Sequence, residues 1–306
     1  MTGRDEGKAF GGEPIIRKIE AKSILSKSNL PVSDYSVNPY VGCTHGCKYC
    51  YASFMKRFTN HPEPWGDFLD VKYWPAIRNP KKYAGKELFI GSVTDPYNPQ
   101  EEIYGRTRDL LEQLQGSGAK LSIQTKSDLV LRDIKLIKSF PDIRVGFSIN
   151  TLDESFREDM DRAVSIERRL AAMKILHDEG IRTTCFISPI FPGITDAAAI
   201  IEQVKDRCNL IWLENLNLRG NYKKEILQYI KEKHPELMPL YDAIYNHGSR
   251  AYWEELDTEL RAYAESQGLP YFRNNDRLVR AFDEPPAIVN YFYHSEIKKS
   301  ATKQKK

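Results

Sequence analysis

Six short runs rich in valine, isoleucine and phenylalanine recur along the chain, and stretches with helical spacing separate them. The runs are SVNPYVG at 36–42, ELFIGSV at 87–93, KLSIQTK at 120–126, RVGFSIN at 144–150, IRTTCFISPI at 181–190 and NLIWLENL at 209–216. Their length and their flanking turn residues fit strands. Between them EEIYGRTRDLLEQLQ closes at Gly116, SDLVLRDIKLIKSF opens on Ser127, SIERRLAAMKILHDE closes at Gly180 and TDAAAIIEQVKDR begins after Thr195, as helices do. Strand–helix alternation demands right-handed crossovers, so the strands lie parallel under a cover of helices. Six units predict an α/β fold, an open partial (β/α)6 barrel of the TIM type rather than a closed barrel of eight.

After about Gly220 the alternation stops. NYKKEILQYIKEK, PELMPLYDAIYNH and SRAYWEELDTELRAYAESQ read as three helices, which predicts a C-terminal helical cap over 221–306 ending in the basic tail EIKKSATKQKK. Residues 1–35 lack a sustained apolar period and predict a partly mobile N-terminal extension, with PIIRKIEAKSIL as an ordered lead-in. That assigns 36–220 to the barrel.

A hydrophobic share of 41% excludes disorder over most of the 306 residues. The net charge of +3 gives no general electrostatic case for a nucleic-acid partner, although a local basic groove is compatible with it. No 18 uncharged apolar residues run together, and MTGRDEGKAFGGEP lacks the apolar core of a signal peptide. A soluble, cytoplasmic protein without a membrane partner is expected.

Cys43, Cys47 and Cys50 form C-x3-C-x2-C directly after the first predicted strand. Strand-end loops carry the chemistry in this fold class. Three close thiolates can hold three irons of a [4Fe–4S] cube and leave the fourth iron open to a ligand. The competing reading is zinc, with His45 or His61 completing a Cys3His site. Cys185, in a predicted core strand, and Cys208, at a helix end, read as structural thiols, and two cysteines cannot build a second four-thiolate cluster.

The run NPYVGCTHGCKYCYA at 38–52 resembles the signature of the radical S-adenosylmethionine (SAM) superfamily, in particular the branch that includes spore photoproduct lyase. GSVTDPYNPQE, TKSDLVLRD, VGFSINTLD, SIERRLAAM and ISPIFPGITD follow in the same order as in that branch, so the resemblance covers about 36–220. It implies a [4Fe–4S] cluster on Cys43, Cys47 and Cys50 whose open iron chelates SAM. It implies reductive cleavage of SAM to a 5'-deoxyadenosyl radical, with SAM either consumed or regenerated, and a flavodoxin- or ferredoxin-type electron donor.

The resemblance also implies roles for residues at the strand ends. Gly91, Ser92, Val93 and Thr94 match the segment that binds the SAM amino group through backbone carbonyls, with Asp95 adding charge. Lys126 and Ser148 match contacts to the polar groups of SAM, and Arg169 matches an arginine that approaches its carboxylate or supports that contact. Since Arg168 points about 100° away on a helix, at most one of the two faces the site. Asn150 is a further candidate, and Pro189 and Ile190 would flank the adenine. Tyr49 and Tyr51 match tyrosines of a hydrogen-atom relay.

Where spore photoproduct lyase carries a hydrogen-donating cysteine, this chain carries Ser92, whose O–H bond is too strong for that role. Tyr49, Tyr51 or Cys185 would have to substitute. Nucleic-acid lesion repair is the reaction the branch suggests, with Arg57, Lys72, Arg219, Tyr222 and Lys223 as candidate rim residues beside a His61 better read as structural, and a peptide or small-metabolite substrate is compatible with the same residues. From a different class, a noncatalytic zinc- or iron–sulfur-bearing binding module is the alternative.

Overall fold

The computed structural model describes residues 13–30, 33–220, 222–274 and 287–294. Twelve strands occur among them: Ile15–Glu20 (β1), Leu25–Lys27 (β2), Tyr35–Val37 (β3), Tyr40–Gly42 (β4), Phe68–Tyr73 (β5), Glu87–Ile90 (β6), Lys120–Thr125 (β7), Ile143–Ser148 (β8), Arg182–Ile190 (β9), Leu210–Asn215 (β10), Tyr271–Arg273 (β11) and Ile288–Phe292 (β12). The main sheet runs β11-β12-β10-β9-β8-β7-β6-β3-β2, parallel throughout except for the β2–β3 pair. Five of the six predicted strands lie in it and the first contributes its opening half, β3, so that β3, β6, β7, β8, β9 and β10 follow in sequence order. This is the α/β architecture of a partial TIM-type barrel.

The central strands are apolar because both faces are covered. In β8 every residue but Arg144 is buried, and Val145 and Phe147 are fully so. Ser127, Ser165 and Asp196 cap their helices by accepting from the N–H of Leu129, Arg168 and Ala199. The predicted helix 101–115 is broken at Gly105, which takes φ +57° between Glu101–Tyr104 and Arg106–Leu114.

SVNPYVG is not one strand. Pro39 lacks the N–H a ladder needs, so the run divides into β3 and β4. Beyond the break β4 pairs antiparallel with β5, whose other edge takes β1 in parallel, making a small second sheet. Asn38 holds the junction, donating to Ser92 Oγ at 3.0 Å and accepting from Val93 N–H at 3.1 Å. This diversion carries the chain out of the barrel wall and into the cysteine loop.

Two expectations about the ends need correction. The stretch read as an N-terminal extension supplies β1 and β2, with Ile24 and Leu25 buried in the core. The stretch read as a purely helical cap contains the three helices, at Tyr222–Lys233, Met238–Tyr245 and Ala251–Ser266, but also β11 and β12. Strand β12, IVNYF, is buried at every position and extends the barrel wall past β10. The basic tail lies outside the described residues. No helix among those described is long and apolar enough to cross a membrane.

Candidate active site

The cysteine loop is fixed before any ligand is considered. Gly42 takes φ +90°, and a Cβ there would sit 2.5 Å from the Phe68 carbonyl oxygen, so only glycine lets the chain leave β4 toward Cys43. Inside the loop, Gly46 N–H donates to Cys43 and Cys50 N–H to Cys47, at 3.2 and 3.1 Å. The segment 160–162 clamps it from outside: Lys48 N–H donates to Met160 and Arg162 N–H to His45.

Burial pushes all three thiols up, and they feel one another: Cys50 raises Cys43, and both raise Cys47. Lys126 pulls Cys47 and Cys50 the other way. Thiolates in such a place need positive charge, which a metal centre supplies by deprotonating them outright. Beside the cysteines, Thr44 Oγ1 and His45 Nδ1 are buried with no hydrogen-bond partner among the described residues, and the Trp65 indole lies where its N–H favours the Cys50 thiolate. Sulfide-bearing clusters take up such donors. The residues therefore fit a [4Fe–4S] cluster.

They fit zinc poorly. Both His61 nitrogens are engaged, Nδ1 by Glu63 at 2.8 Å and Nε2 by Asp70 at 2.9 Å, with the ring stacked on Phe68. His45 Nε2 lies 3.1 Å from Asp95. Among the described residues no group of three or more His, Cys, Asp and Glu side chains is arranged to hold a single ion. A cube gives each thiolate its own iron and asks for no such convergence.

Of the predicted cofactor-binding residues, Gly91, Ser92, Thr94, Asp95, Lys126 and Ser148 lie at the strand ends, and Arg169 lies on the helix Ile166–Asp178. Gly91 takes φ +93° with no space for a Cβ, which would meet Pro96 Cδ at 2.7 Å and the Gln124 carbonyl at 2.8 Å. Gly91→Ala is therefore expected to cost about 1–3 kcal/mol and to weaken SAM binding, because relieving the clash moves Ser92–Thr94. Calorimetric SAM affinity of the folded variant checks it, and unchanged affinity would contradict it. Thr94 Oγ1 donates to Gly42 O at 2.5 Å, tying this segment to the cysteine loop.

Asp95 is a hub. Thr125 Oγ1 and the N–H groups of Tyr97 and Lys126 donate to it, with His45 alongside. Burial works against its charge, but His45 and these donors hold the carboxyl below the usual range. The turn 95–99 is real as well, since Asn98 closes it onto the Asp95 carbonyl.

Lys126 is buried, its ammonium 5.4 Å from the Tyr49 ring centre, with no hydrogen bond or ion pair to its ammonium among the described residues. A carboxylate from a ligand suits it. Ser148 accepts from Gln124 and Asn150 donates to the Pro189 carbonyl at 3.5 Å. Ile190 is fully buried at the end of β9.

The two arginines separate as helical geometry requires. Arg168 is exposed and bidentate on Asp128, whereas Arg169 is buried and spends its guanidinium on Asp161, the Ser148 carbonyl and the Val164 carbonyl. Arg169 is thus tied into the framework behind the site.

The two tyrosines also differ. Tyr49 is buried, donates to Asp161 at 3.2 Å and packs edge-on to Phe191. Tyr51 is 57% exposed and reaches across to donate to the Ser92 carbonyl.

The proposed rim residues divide. Tyr222 lies within electrostatic reach of Cys50 and donates to Asn217 O. Arg219 holds Asn217, while the Lys223 ammonium turns to Tyr245 and Asn246. Lys72 sits on β5 of the small sheet, where burial pushes it down to about 8 against the pull of Asp70. Cys185 and Cys208 are buried, and Cys208 donates to Val204 O.

Sequence reasoning missed three groups. Asp161 joins Tyr49, Arg169 and Ala163 N–H. Glu214, near the end of β10, accepts from Trp212 Nε1 at 3.0 Å and Ser188 Oγ at 3.2 Å, and lies within electrostatic reach of Tyr51. His294, two residues past β12, places Nε2 3.2 Å from Glu214. An acid ending a predicted strand was a readable signal for Glu214. For His294 none existed, because β12 was not anticipated.

Comparison with known proteins agrees with this geometry. The profile of the Radical SAM superfamily matches residues 37–204. An uncharacterized protein of Methanocaldococcus jannaschii is 39% identical over 223 residues, covering 72% of this chain and 84% of the relative. A radical SAM Nalpha-GlyT isomerase of Pseudomonas phage M6 is 27% identical over 160 residues, covering 51% of this chain and 33% of the phage protein. Spore photoproduct lyase complexed with a dinucleoside spore photoproduct shares the fold, with TM-score 0.58, 14% identity, and coverage of 94% of this chain and 88% of that one. The chain belongs to the radical SAM superfamily.

Proposed function

We propose that this enzyme abstracts a hydrogen atom from a base or sugar of nucleic acid held at the open end of its barrel. The observation that carries the reading is the arrangement around Glu214, a carboxylate clamped by Trp212 and Ser188 and paired with His294 at strand ends near Tyr51. The rings of Trp212 and Phe292, 5.6 Å apart and tilted by 35°, put aromatic side chains beside these hydrogen-bonding groups. The dinucleoside photoproduct held by the structurally similar lyase supports the same substrate class.

Cys43, Cys47 and Cys50 would hold a [4Fe–4S] cluster, which with SAM bound would supply one-electron cleavage of the sulfonium. The remaining work belongs to the chain. Lys126 takes the SAM carboxylate, and the carbonyls of Gly91–Thr94 take its ammonium. Asp95 fixes Lys126 by its backbone. Tyr51, exposed and donating to the Ser92 carbonyl, exchanges a hydrogen atom with the substrate radical in this reading, a role the Ser92 hydroxyl cannot take.

Reconstituted, reduced protein given SAM and UV-irradiated DNA with deuterated nucleosides should pass deuterium into 5'-deoxyadenosine. SAM cleavage with no deuterium transfer from any DNA or RNA would overturn the substrate class and leave the chemistry standing.

A further inference from the structure

The helix Tyr51–Phe58 begins on a proposed cluster ligand, Cys50, and turns an unusual face to solvent. Phe54 is 44% exposed and Phe58 66%, and neither joins the apolar core. Arg57 lies over both rings, its guanidinium 5.4 and 4.6 Å from their centres. From Thr44 to Pro62 the chain carries Lys48, Lys56 and Arg57 but no aspartate or glutamate. Lys56 donates to the Pro62 carbonyl and pairs with no carboxylate among the described residues.

Two exposed phenylalanines bound to an arginine, on a segment without an acid, describe an interface anchor rather than an ordinary wet surface. At about 2 Å rise per residue, Phe54 stands roughly 8 Å along the axis from Cys50. Any protein seated on this face is close to the cluster. Each cleavage of SAM takes up one electron, and Cys185 and Cys208 are too few to build a second four-thiolate cluster as an internal source. The electron must come from outside.

Resting on the radical SAM reading, we propose that Phe54, Arg57 and Phe58 form the docking face for an acidic one-electron carrier protein. The carrier gives up one electron and is oxidised, the cluster gains it and is reduced, and no atoms move. Charge complementarity selects the acidic partner, and a small, transient contact centred on the two rings suits an electron-transfer encounter.

The test uses cluster-loaded protein and an acidic bacterial flavodoxin. Stopped-flow bleaching of the cluster by reduced flavodoxin should slow about tenfold in a Phe54→Ser/Phe58→Ser double variant, and by less in each single variant. For the parent, the rate should fall as salt is raised. Binding of oxidised flavodoxin, read by titration calorimetry, should weaken in parallel. Iron content, bleaching by dithionite and dithionite-driven 5'-deoxyadenosine formation should match the parent, which separates lost docking from lost folding.

Equal flavodoxin rates in parent and variants would overturn the proposal. So would a parent that dithionite reduces and flavodoxin does not. Loss of single-stranded oligonucleotide binding in the variants, with flavodoxin reduction intact, would assign the face to nucleic acid and also overturn it. If instead the parent makes no 5'-deoxyadenosine with dithionite, the radical SAM reading itself fails.

Discussion

Cys47→Ala protein, reconstituted with iron and sulfide without oxygen, is expected to hold far less than the about four irons per chain of the parent and to make no detectable 5'-deoxyadenosine. Cys47 is the most informative of the three because its thiol faces both Cys43 and Cys50, with Lys126 drawing it toward the thiolate. Its loop is pinned by hydrogen bonds to Met160 and from Arg162, so the rest of the fold survives the change. Iron and sulfide analysis with circular dichroism checks this. Full iron loading in the variant would remove Cys47 from the ligand set.

The largest stability effect is expected at Asp161. It pairs with Arg169 at 2.9 Å with both side chains 1% exposed, and also accepts from Tyr49 and Ala163 N–H. Asp161→Ala leaves a buried guanidinium without its counter-charge, a loss of roughly 3–5 kcal/mol. Asp161→Asn keeps acceptor capacity and should lose less. Burial opposes the charge on Asp161, but Lys126 and Arg169 outweigh it and hold the carboxyl below its ordinary value. The contribution is therefore present above the unfolded value of about 3.9 and is lost as pH falls through the lower folded value. The gap between parent and Asp161→Asn should narrow in that acid range. Urea unfolding of cluster-free protein at several pH values measures it, and a pH-independent gap would contradict the account.

Much of this was legible in the sequence for physical reasons. Parallel strands buried on both faces must be apolar along their length, so β6 to β10 announce themselves. Ser127, Ser165 and Thr195-Asp196 mark helix starts because unpaired N–H groups need an oxygen there. The cysteine spacing pointed to the loop that leaves β4, where Cys43, Cys47 and Cys50 sit close enough to act on one another.

What was not legible depends on contacts distant in sequence. β12 and its partner β11 lie behind three helices, and IVNYF gives no sign of which edge it joins. The break at Pro39 could be read as a breaker, but not as the point where the chain changes sheets. Arg169 was picked out for the cofactor on its resemblance, whereas only the fold brings Asp161 against it. Glu214 and His294 are 80 positions apart, and only the adjacency of β10 and β12 unites them.

The most direct test of the account is the fate of SAM on the intact protein. Protein purified without oxygen, reconstituted, reduced with dithionite and mixed with SAM should release methionine and 5'-deoxyadenosine in equal amounts, and only when reductant is present. A protein that holds zinc, or holds a cluster and returns SAM uncleaved, would contradict it.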